Sequence, residues 1–337
     1  MPAGLPIDLM SILIRPIPLT HQTDCTDMLS DTVVIMSDRT VLITGATGTI
    51  GGAVGRAMQR RGRHVVGLAR SDTAARQLCE QGIEPLAGDL ADRAWLQRGV
   101  AMADVVVHAA FARDAYDRLD AAVAMEQRAT AAVLGAAKAA GRRFVYTSGL
   151  GVVGDSDRPA GDDDEPATPP AMAWRRALEL KVINADGIVV RPAFVYGNGE
   201  GAILRGLIAF AAENGRAVYA GSGSNAWPNV HVDDLGEAYA LVIERGPAGK
   251  VVNVAGGEAT PRTVGNAISR LLGLGPAESV PLEEAIQHVP FAAWISGASI
   301  RVDSQRVQSL GWHPSGPDIQ WDIEFGSYRH LGRDTAR

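Results

Sequence analysis

Cysteine is scarce in this sequence: the 337 residues include only Cys25 and Cys79. Neither lies in a CxxC or CxxH pattern, so the sequence predicts no disulfide framework and no metal site. No apolar run approaches the ~20 residues that a membrane-spanning helix needs. The net charge of −6 gives no electrostatic reason to bind nucleic acid or an anionic membrane surface.

The remaining composition, 46% hydrophobic and 21% charged, is that of a globular protein with a full core. The first 37 residues differ from the rest. Their apolar run at 9–19 is broken by Arg15, Pro16 and Pro18 and lacks the features of a secretory signal. We expect an extension at 1–37 that is disordered, with Met36 as an alternative natural start, and a cytoplasmic protein.

Strand and helix patterns alternate from residue 40 onward. Apolar strands are predicted at 40–45, 64–70, 83–89, 104–110, 142–149 and 187–197. Helical patterns lie between them, including a long alanine-rich helix at 117–140 and a helix around Trp174. Such alternation predicts an α/β fold with a doubly wound parallel sheet. We expect a nucleotide-binding domain at 38–195 and a smaller, interleaved C-terminal substrate lobe at 196–337.

A glycine-rich turn follows the first strand. In "VLITGATGTIGG", Gly45, Gly48 and Gly51 lie between a strand and a helix. Glycines at such a turn let the backbone approach a pyrophosphate, and the helix N-terminus offers it free N–H groups. This context predicts a Rossmann-type dinucleotide site.

The end of the second strand selects between the two nicotinamide cofactors. An acidic residue there binds the ribose of NAD, whereas an arginine accommodates the 2′-phosphate of NADP. This chain has Arg70, whose guanidinium pairs well with phosphate. Asp72, two residues further on, would oppose a phosphate if it pointed inward. The sequence therefore favours NADP over NAD.

Several motifs in order resemble the extended and atypical short-chain dehydrogenase/reductases, the NAD-dependent epimerase/dehydratase group. They are TGATGxIG, Asp89-Leu90, "VVHAA", "FVYTSG", "RPAFVYG" and "NVHVDDLGEAY", which together span about 39–315. The resemblance implies that the pyrophosphate lies on Gly45, Thr47, Gly48, Thr49, Ile50 and Gly51. It places Asp89 and Leu90 at the adenine, Ala109 and Ala110 beneath the ribose and nicotinamide, and Pro192 to Val195 over the nicotinamide. It also implies a possible homodimer through the alanine-rich helix and the Trp174 helix.

The tyrosine and lysine of that family are missing. In the family a tyrosine transfers the proton and a lysine one helical turn later lowers its pKa. The family pattern places Trp174 and Leu178 at these positions, and Gly149 at the usual serine. None of the six tyrosines has a lysine four residues later. An indole does not release its proton near neutral pH, so Trp174 is no substitute.

Two classes of function stay open on this evidence. One is an NAD(P)-dependent oxidoreductase or epimerase/dehydratase-like enzyme that uses another acid, with Ser148 and Tyr146 as candidate catalytic residues. The other is a non-catalytic NADP-binding sensor or scaffold. The acidic run 161–165 is expected to be solvated or to act as a lid over the cleft. We interpret His231, Asp233 and Asp234 as a helix cap and a tie between the lobes.

Overall fold

The computed structural model describes residues 40–111, 119–156, 158–288 and 298–334. The predicted extension at 1–37 and the predicted helix start at 117 lie outside these residues. The described strands are β1 (Thr40–Thr44), β2 (His64–Ala69), β3 (Glu84–Ala87), β4 (Val105–His108), β5 (Arg143–Thr147), β6 (Ile188–Pro192), β7 (Phe194–Tyr196), β8 (Val218–Ala220), β9 (Trp227–His231), β10 (Val251–Val254), β11 (Gly257–Ala259) and β12 (Glu278–Val280).

The described helices alternate with these strands. They are α1 (Thr49–Arg60), α2 (Asp72–Glu80), α3 (Arg93–Ala101), α4 (Leu119–Ala139), α5 (Ala173–Ile183), α6 (Ala202–Asn214), α7 (Val232–Arg245), α8 (Pro261–Leu272), α9 (Leu282–His288), α10 (Gln305–Ser309), α11 (Ile319–Glu324) and α12 (Arg329–Asp334). None of the helices in the described part of the chain is long and apolar enough to cross a membrane.

Seven strands form a parallel sheet in the order β10-β6-β5-β4-β1-β2-β3. The chain builds outward from β1 to β3 and then returns to add β4 on the other side of β1. The carboxyl ends of all seven strands therefore meet at one edge, and the order reverses between β1 and β4. Ligands of such sheets bind outside that reversal point.

Helices cover both faces of this sheet, as the sequence predicts. Side chains alternate between faces along a strand. Ile43 packs on one side in a buried cluster with Val54 of α1. Leu42 packs on the other side with Val133 of α4 and Leu178 of α5. The doubly wound arrangement is thus confirmed.

The predicted strand at 187–197 is two strands in the structure. β6 ends at Pro192, and β7 pairs with β9 in a separate three-stranded sheet, β11-β9-β7. Pro192 has no N–H to continue the ladder, and the N–H of Ala193 makes the last bond, 2.9 Å from the carbonyl of Val254. The break directs the chain out of the large sheet.

A second apolar core lies beyond this break. Phe194 and Trp227 stack there with ring centroids 4.4 Å apart, next to Leu204 of α6 and Ile268 of α8. β10, although it comes from beyond residue 196, lies in the large sheet. The proposed division at 195/196 stays a prediction, but the chain does return to the first part after building the second.

The start of α7 ties distant segments together. His231 caps the helix, since its Nδ1 accepts the N–H of Asp233 at 3.3 Å. Asp234 accepts the backbone N–H groups of Ser315 and Gly316 at 2.9 and 2.8 Å. The predicted helix cap is confirmed for His231, and Asp234 joins two distant segments of the chain, while a tie between the two lobes stays a prediction.

Candidate functional site

The turn after β1 is shaped for close backbone approach. Gly45 has φ +76°, a conformation that favours glycine, and its carbonyl accepts the N–H of Gly48 at 2.9 Å. A Cβ added at Gly51 would lie 2.2 Å from the Gly45 oxygen. Gly48 begins α1 without a side-chain cap. The N-terminus of α1 therefore keeps backbone donors for a ligand.

This turn touches the end of β4. A Cβ on Gly45 would lie 2.7 Å from the carbonyl oxygen of Ala109 and from backbone atoms of Ala110. Thr47 and Thr49 line a cavity of about 470 Å³ that extends to Glu200 on the opposite lobe. The turn, the end of β4 and this cavity form one continuous surface at the carboxyl edge.

The ends of β2 and β3 extend the same edge. Arg70 follows β2, is exposed and makes no hydrogen bond or ion pair with the residues that the structure describes. Asp72 lies in the first turn of α2, where a carboxylate stabilises the helix dipole. Asp89 follows β3, is exposed and accepts the N–H of Ala91 at 2.8 Å, and Leu90 packs on the core.

The nicotinamide residues of the prediction are more dispersed. Pro192 ends β6, which lies two strands away from β4, and is buried. Val195 belongs to the other sheet and is half-buried. Ile50, in the first turn of α1, packs against the core below the turn. The predicted cofactor residues at the ends of β1 to β4 are brought together by the fold, whereas Pro192 and Val195 have different neighbours.

A buried ion-pair network lies at the end of β5. Ser148 is buried and donates its hydroxyl to Glu179 Oε1 at 2.6 Å. Arg191 donates two hydrogen bonds, of 2.8 and 2.7 Å, to the same carboxylate. Arg176 adds a third cationic contact at 3.2 Å and reaches on to Glu165 at 2.8 Å. While Glu179 accepts its proton, Ser148 has no donor to offer a substrate oxygen.

Tyr146 is fully buried, and its hydroxyl donates to Glu126 Oε1 of α4 at 3.1 Å. Burial, more than the nearby carboxylates, raises the pKa of Tyr146 above its usual range. A proton donor must reach the substrate in the cleft with a proton that it can release. We therefore correct the sequence-based candidate: Tyr146 is a core side chain.

His108 lies beside Tyr146 and shares its burial. Its Nδ1 is 2.6 Å from Thr44 Oγ1, while its Nε2 is buried without a partner in the described residues. Burial, with a smaller effect of the Arg175 charge, lowers the pKa of His108 to about 4. The ring is neutral at pH 7.

The face of α5 differs from the sequence-based alignment. Leu178, at the expected lysine position, is buried in the core. Trp174 stacks on Phe111, with ring centroids 6.4 Å apart. The side chains that reach the carboxyl edge are Arg175, which contacts Phe111, and Glu179, one helical turn later. Trp174 and Leu178, at the tyrosine and lysine positions of the family, thus pack on the core, and neither supplies a proton donor.

The acidic run is partly solvated, as predicted, because Asp163 and Glu165 are exposed. Asp162 differs: it is buried and accepts the backbone N–H groups of Asn253 and Arg306 at 2.6 and 3.1 Å. Asp163 pairs with Lys250 and Arg306. These bonds join the run to β10 and α10, and its role as a lid that orders on substrate binding stays a prediction.

Sequence reasoning missed Glu179, Arg191, Glu126 and Arg175. One signal was available: Arg191 stands in the strand "IVVRP", otherwise apolar and buried. A buried guanidinium requires a carboxylate, so a glutamate partner could have been sought. In the described part of the chain, no group of three or more His, Cys, Asp or Glu side chains is placed to hold a metal ion.

The fold and the glycine turn define a dinucleotide-binding α/β protein, and comparison with known proteins identifies the family. The model of the NAD dependent epimerase/dehydratase family matches residues 41–255. An uncharacterized protein of Saccharomyces cerevisiae is 32% identical over 275 residues, 78% of this chain and 90% of the relative. The chain belongs to the NAD-dependent epimerase/dehydratase family.

Two further comparisons bear on fold and activity. A 4-hydroxy-2-methyl-3-oxo-4-farnesyl-3,4-dihydroquinoline-1-oxide ketoreductase of Stigmatella aurantiaca is 32% identical over 253 residues, 70% of this chain and 72% of the relative. A dTDP-glucose 4,6-dehydratase of Streptomyces venezuelae, solved with NAD bound, superposes with a TM-score of 0.70 at 21% identity, covering 87% and 97% of the two chains. The second likeness shows the fold. Neither supports a non-catalytic sensor.

Proposed function

We propose that this protein is an NADP-dependent reductase that converts a ketone of a small molecule to an alcohol. The glycine cradle at the carboxyl edge carries the proposal, because its backbone fits a pyrophosphate and no side chain could occupy Gly45 or Gly51. The ketoreductase relative supports reduction as the direction of the reaction.

The cofactor would lie along the residues that the sequence singled out. Gly45, Thr47, Gly48, Thr49, Ile50 and Gly51 would hold the pyrophosphate, Asp89 and Leu90 the adenine, and Ala109, Ala110, Pro192 and Val195 the nicotinamide side. When bound, NADPH would supply a hydride to the carbonyl carbon, and the carbonyl oxygen would take up a proton from water. The chain's own task is to orient the ketone and stabilise its oxygen.

Arg70 supports the choice of NADP. It is exposed at the end of β2 with no partner among the described residues, and no carboxylate stands at that strand end. Arg70→Ala should weaken NADPH binding at least about tenfold, since it removes a charge-assisted contact, and should leave NADH binding nearly unchanged. Arg76→Ala, which removes an exposed charge from the next element, α2, is the control. Equal effects on both cofactors would remove Arg70 from this role.

Activity is tested after binding. Purified protein is titrated with NADPH and NADH by fluorescence, and bound NADPH is then challenged with a panel of ketones. We expect oxidation of NADPH that depends on the ketone. Binding without oxidation across the panel would contradict the reductase, and failure to bind either cofactor would contradict the cradle.

We also propose a cytoplasmic homodimer that forms through α4 and α5. Met125 of α4 and Leu180 of α5 support this surface, because they are large apolar side chains exposed by 47% and 43%. Sedimentation velocity of the purified protein distinguishes a dimer from a monomer. If the dimer forms, Met125→Glu with Leu180→Glu should dissociate it.

A further inference from the structure

A cation on α5, Arg175, lies against the aromatic ring that follows the end of β4. Arg175 is half-buried, yet it makes no hydrogen bond or ion pair with any described residue. Its guanidinium carbon lies 4.4 Å from the ring centroid of Trp174 and 5.1 Å from that of Phe111. Cation–π contacts hold the group in place but leave its N–H donors without an acceptor.

The position of Arg175 is that of a ligand-binding group. Phe111 follows Ala110, whose backbone touches the Gly45 turn, so contact with Phe111 places the guanidinium next to the proposed nicotinamide surface. Ser148 and Tyr146 donate their hydroxyl protons to Glu179 and Glu126. Of these three side chains, Arg175 is the one whose donors have no acceptor among the described residues.

The buried carboxylates nearby make no hydrogen bond or ion pair with Arg175. Glu179 is bound by Arg191 and Arg176. Glu126 is attracted to the Arg175 charge, but its hydrogen bonds come from Tyr146 and Thr130. His108, with its lowered pKa, adds no second positive charge at pH 7. Among the described residues, Arg175 is thus flanked by two aromatic rings and its N–H donors have no acceptor.

We propose that Arg175 binds the carboxylate of the substrate, so that the ketone reduced here is an oxo acid with an apolar chain. This inference rests on the proposed reductase function. A planar guanidinium fork matches a carboxylate in two parallel bonds, and the Phe111 and Trp174 rings suit an acyl chain.

Binding of an unreactive pair tests this assignment without turnover. Hexanoate and hexanamide are titrated into the protein by calorimetry, with and without saturating NADP⁺. We expect the wild type to prefer hexanoate at least about tenfold, the contribution of a charge-assisted bidentate contact. Arg175→Gln should abolish the preference and Arg175→Lys should retain part of it. Arg128→Gln, a charge removed from the exposed face of α4, should leave it unchanged.

Turnover provides the second readout. The wild type should reduce 3-oxohexanoate with a much lower KM than its methyl ester, and Arg175→Gln should raise the KM for the acid alone. No preference for hexanoate, or a preference that survives in Arg175→Gln, would overturn the assignment even if ketones are reduced. Absence of NADP⁺ binding together with no reduction of acid or ester would overturn the proposed function instead. The intact Arg175→Lys variant separates loss of charge from loss of fold.

Discussion

At the carboxyl edge of the sheet, the turn after β1 and the segment after β5 lie on either side of β4. The two are built differently. The first consists of glycines and alanines whose backbone groups are directed toward the cleft. The second consists of a buried serine, glutamate and two arginines that satisfy one another. Backbone donors without a partner are available to bind a ligand. Side chains that bind one another instead form a rigid part of the site.

The largest loss of stability is expected when the ion-pair network after β5 is disrupted. Glu179→Gln leaves Arg191 buried without a counter-charge, and loss of one partner of a buried ion pair costs about 3–5 kcal/mol of unfolding free energy. Urea denaturation measures it. Glu126→Gln is the matched control, since Glu126 is also buried but its hydrogen bonds come from hydroxyl groups. Its effect at pH 8 should stay within about 1 kcal/mol, because no buried cation loses its partner. Similar losses in both variants would contradict the distinction.

The unfolding free energy should depend on pH through His108, at the end of β4. The pKa of His108 is lowered to about 4 from the ordinary 6.5, so below pH 6.5 the unfolded chain binds a proton that the folded protein excludes. The stabilisation is complete above pH 6.5 and is lost as the pH falls toward 4. By linkage, this group alone lowers the unfolding free energy by about 2–3 kcal/mol between pH 7 and 4.5.

The same denaturation series in His108→Gln checks that assignment. The variant has no ring to protonate, so its loss of stability between pH 7 and 4.5 should be smaller than that of the wild type by this amount. Equal losses would mean that other groups cause the acid sensitivity. NMR titration of the His108 ring provides an independent value of its pKa.

A smaller change of stability, but a larger change of binding, is expected at the turn after β1. Gly45→Ala places a Cβ 2.7 Å from the Ala109 oxygen at positive φ, so the turn must shift and NADPH affinity should fall at least about tenfold. Gly62→Ala is the matched control, because Gly62 also has positive φ but open space around it. It should cost about 1 kcal/mol of stability and leave NADPH affinity unchanged. Equal losses of affinity would contradict a specific cradle.

Sequence patterns were strong wherever the physical requirement is local. Alternation of buried strands and helices predicts the doubly wound sheet, and glycines at a strand-to-helix turn predict the cradle, because each depends on neighbouring residues alone. The strand at 187–197 was predicted as one element. The strand divides at Pro192, which lacks an N–H donor, and the sequence already showed that proline. The sequence did not show the second sheet that receives β7.

The side chains around the catalytic position were less predictable. Spacing placed Trp174 and Leu178 at the family's tyrosine and lysine positions, and both pack on the core. Arg175 and Glu179 follow them by one residue, which turns a helix face by about 100°, so these neighbours meet different surroundings. In the acidic run, the exposure of Asp163 and Glu165 followed from the charge pattern, whereas the burial of Asp162 depends on its partners on β10 and α10.

By itself, the sequence determined the class of fold, the place of the nucleotide turn and the absence of the family's tyrosine–lysine pair, since these are properties of composition and spacing. Only the tertiary structure decided which donors are used and which stay free. Ser148, Tyr146 and Arg175 are all polar and all near the edge. Their difference arises because Glu179 and Glu126, distant in the chain, fold against two of them and leave Arg175 beside aromatic rings.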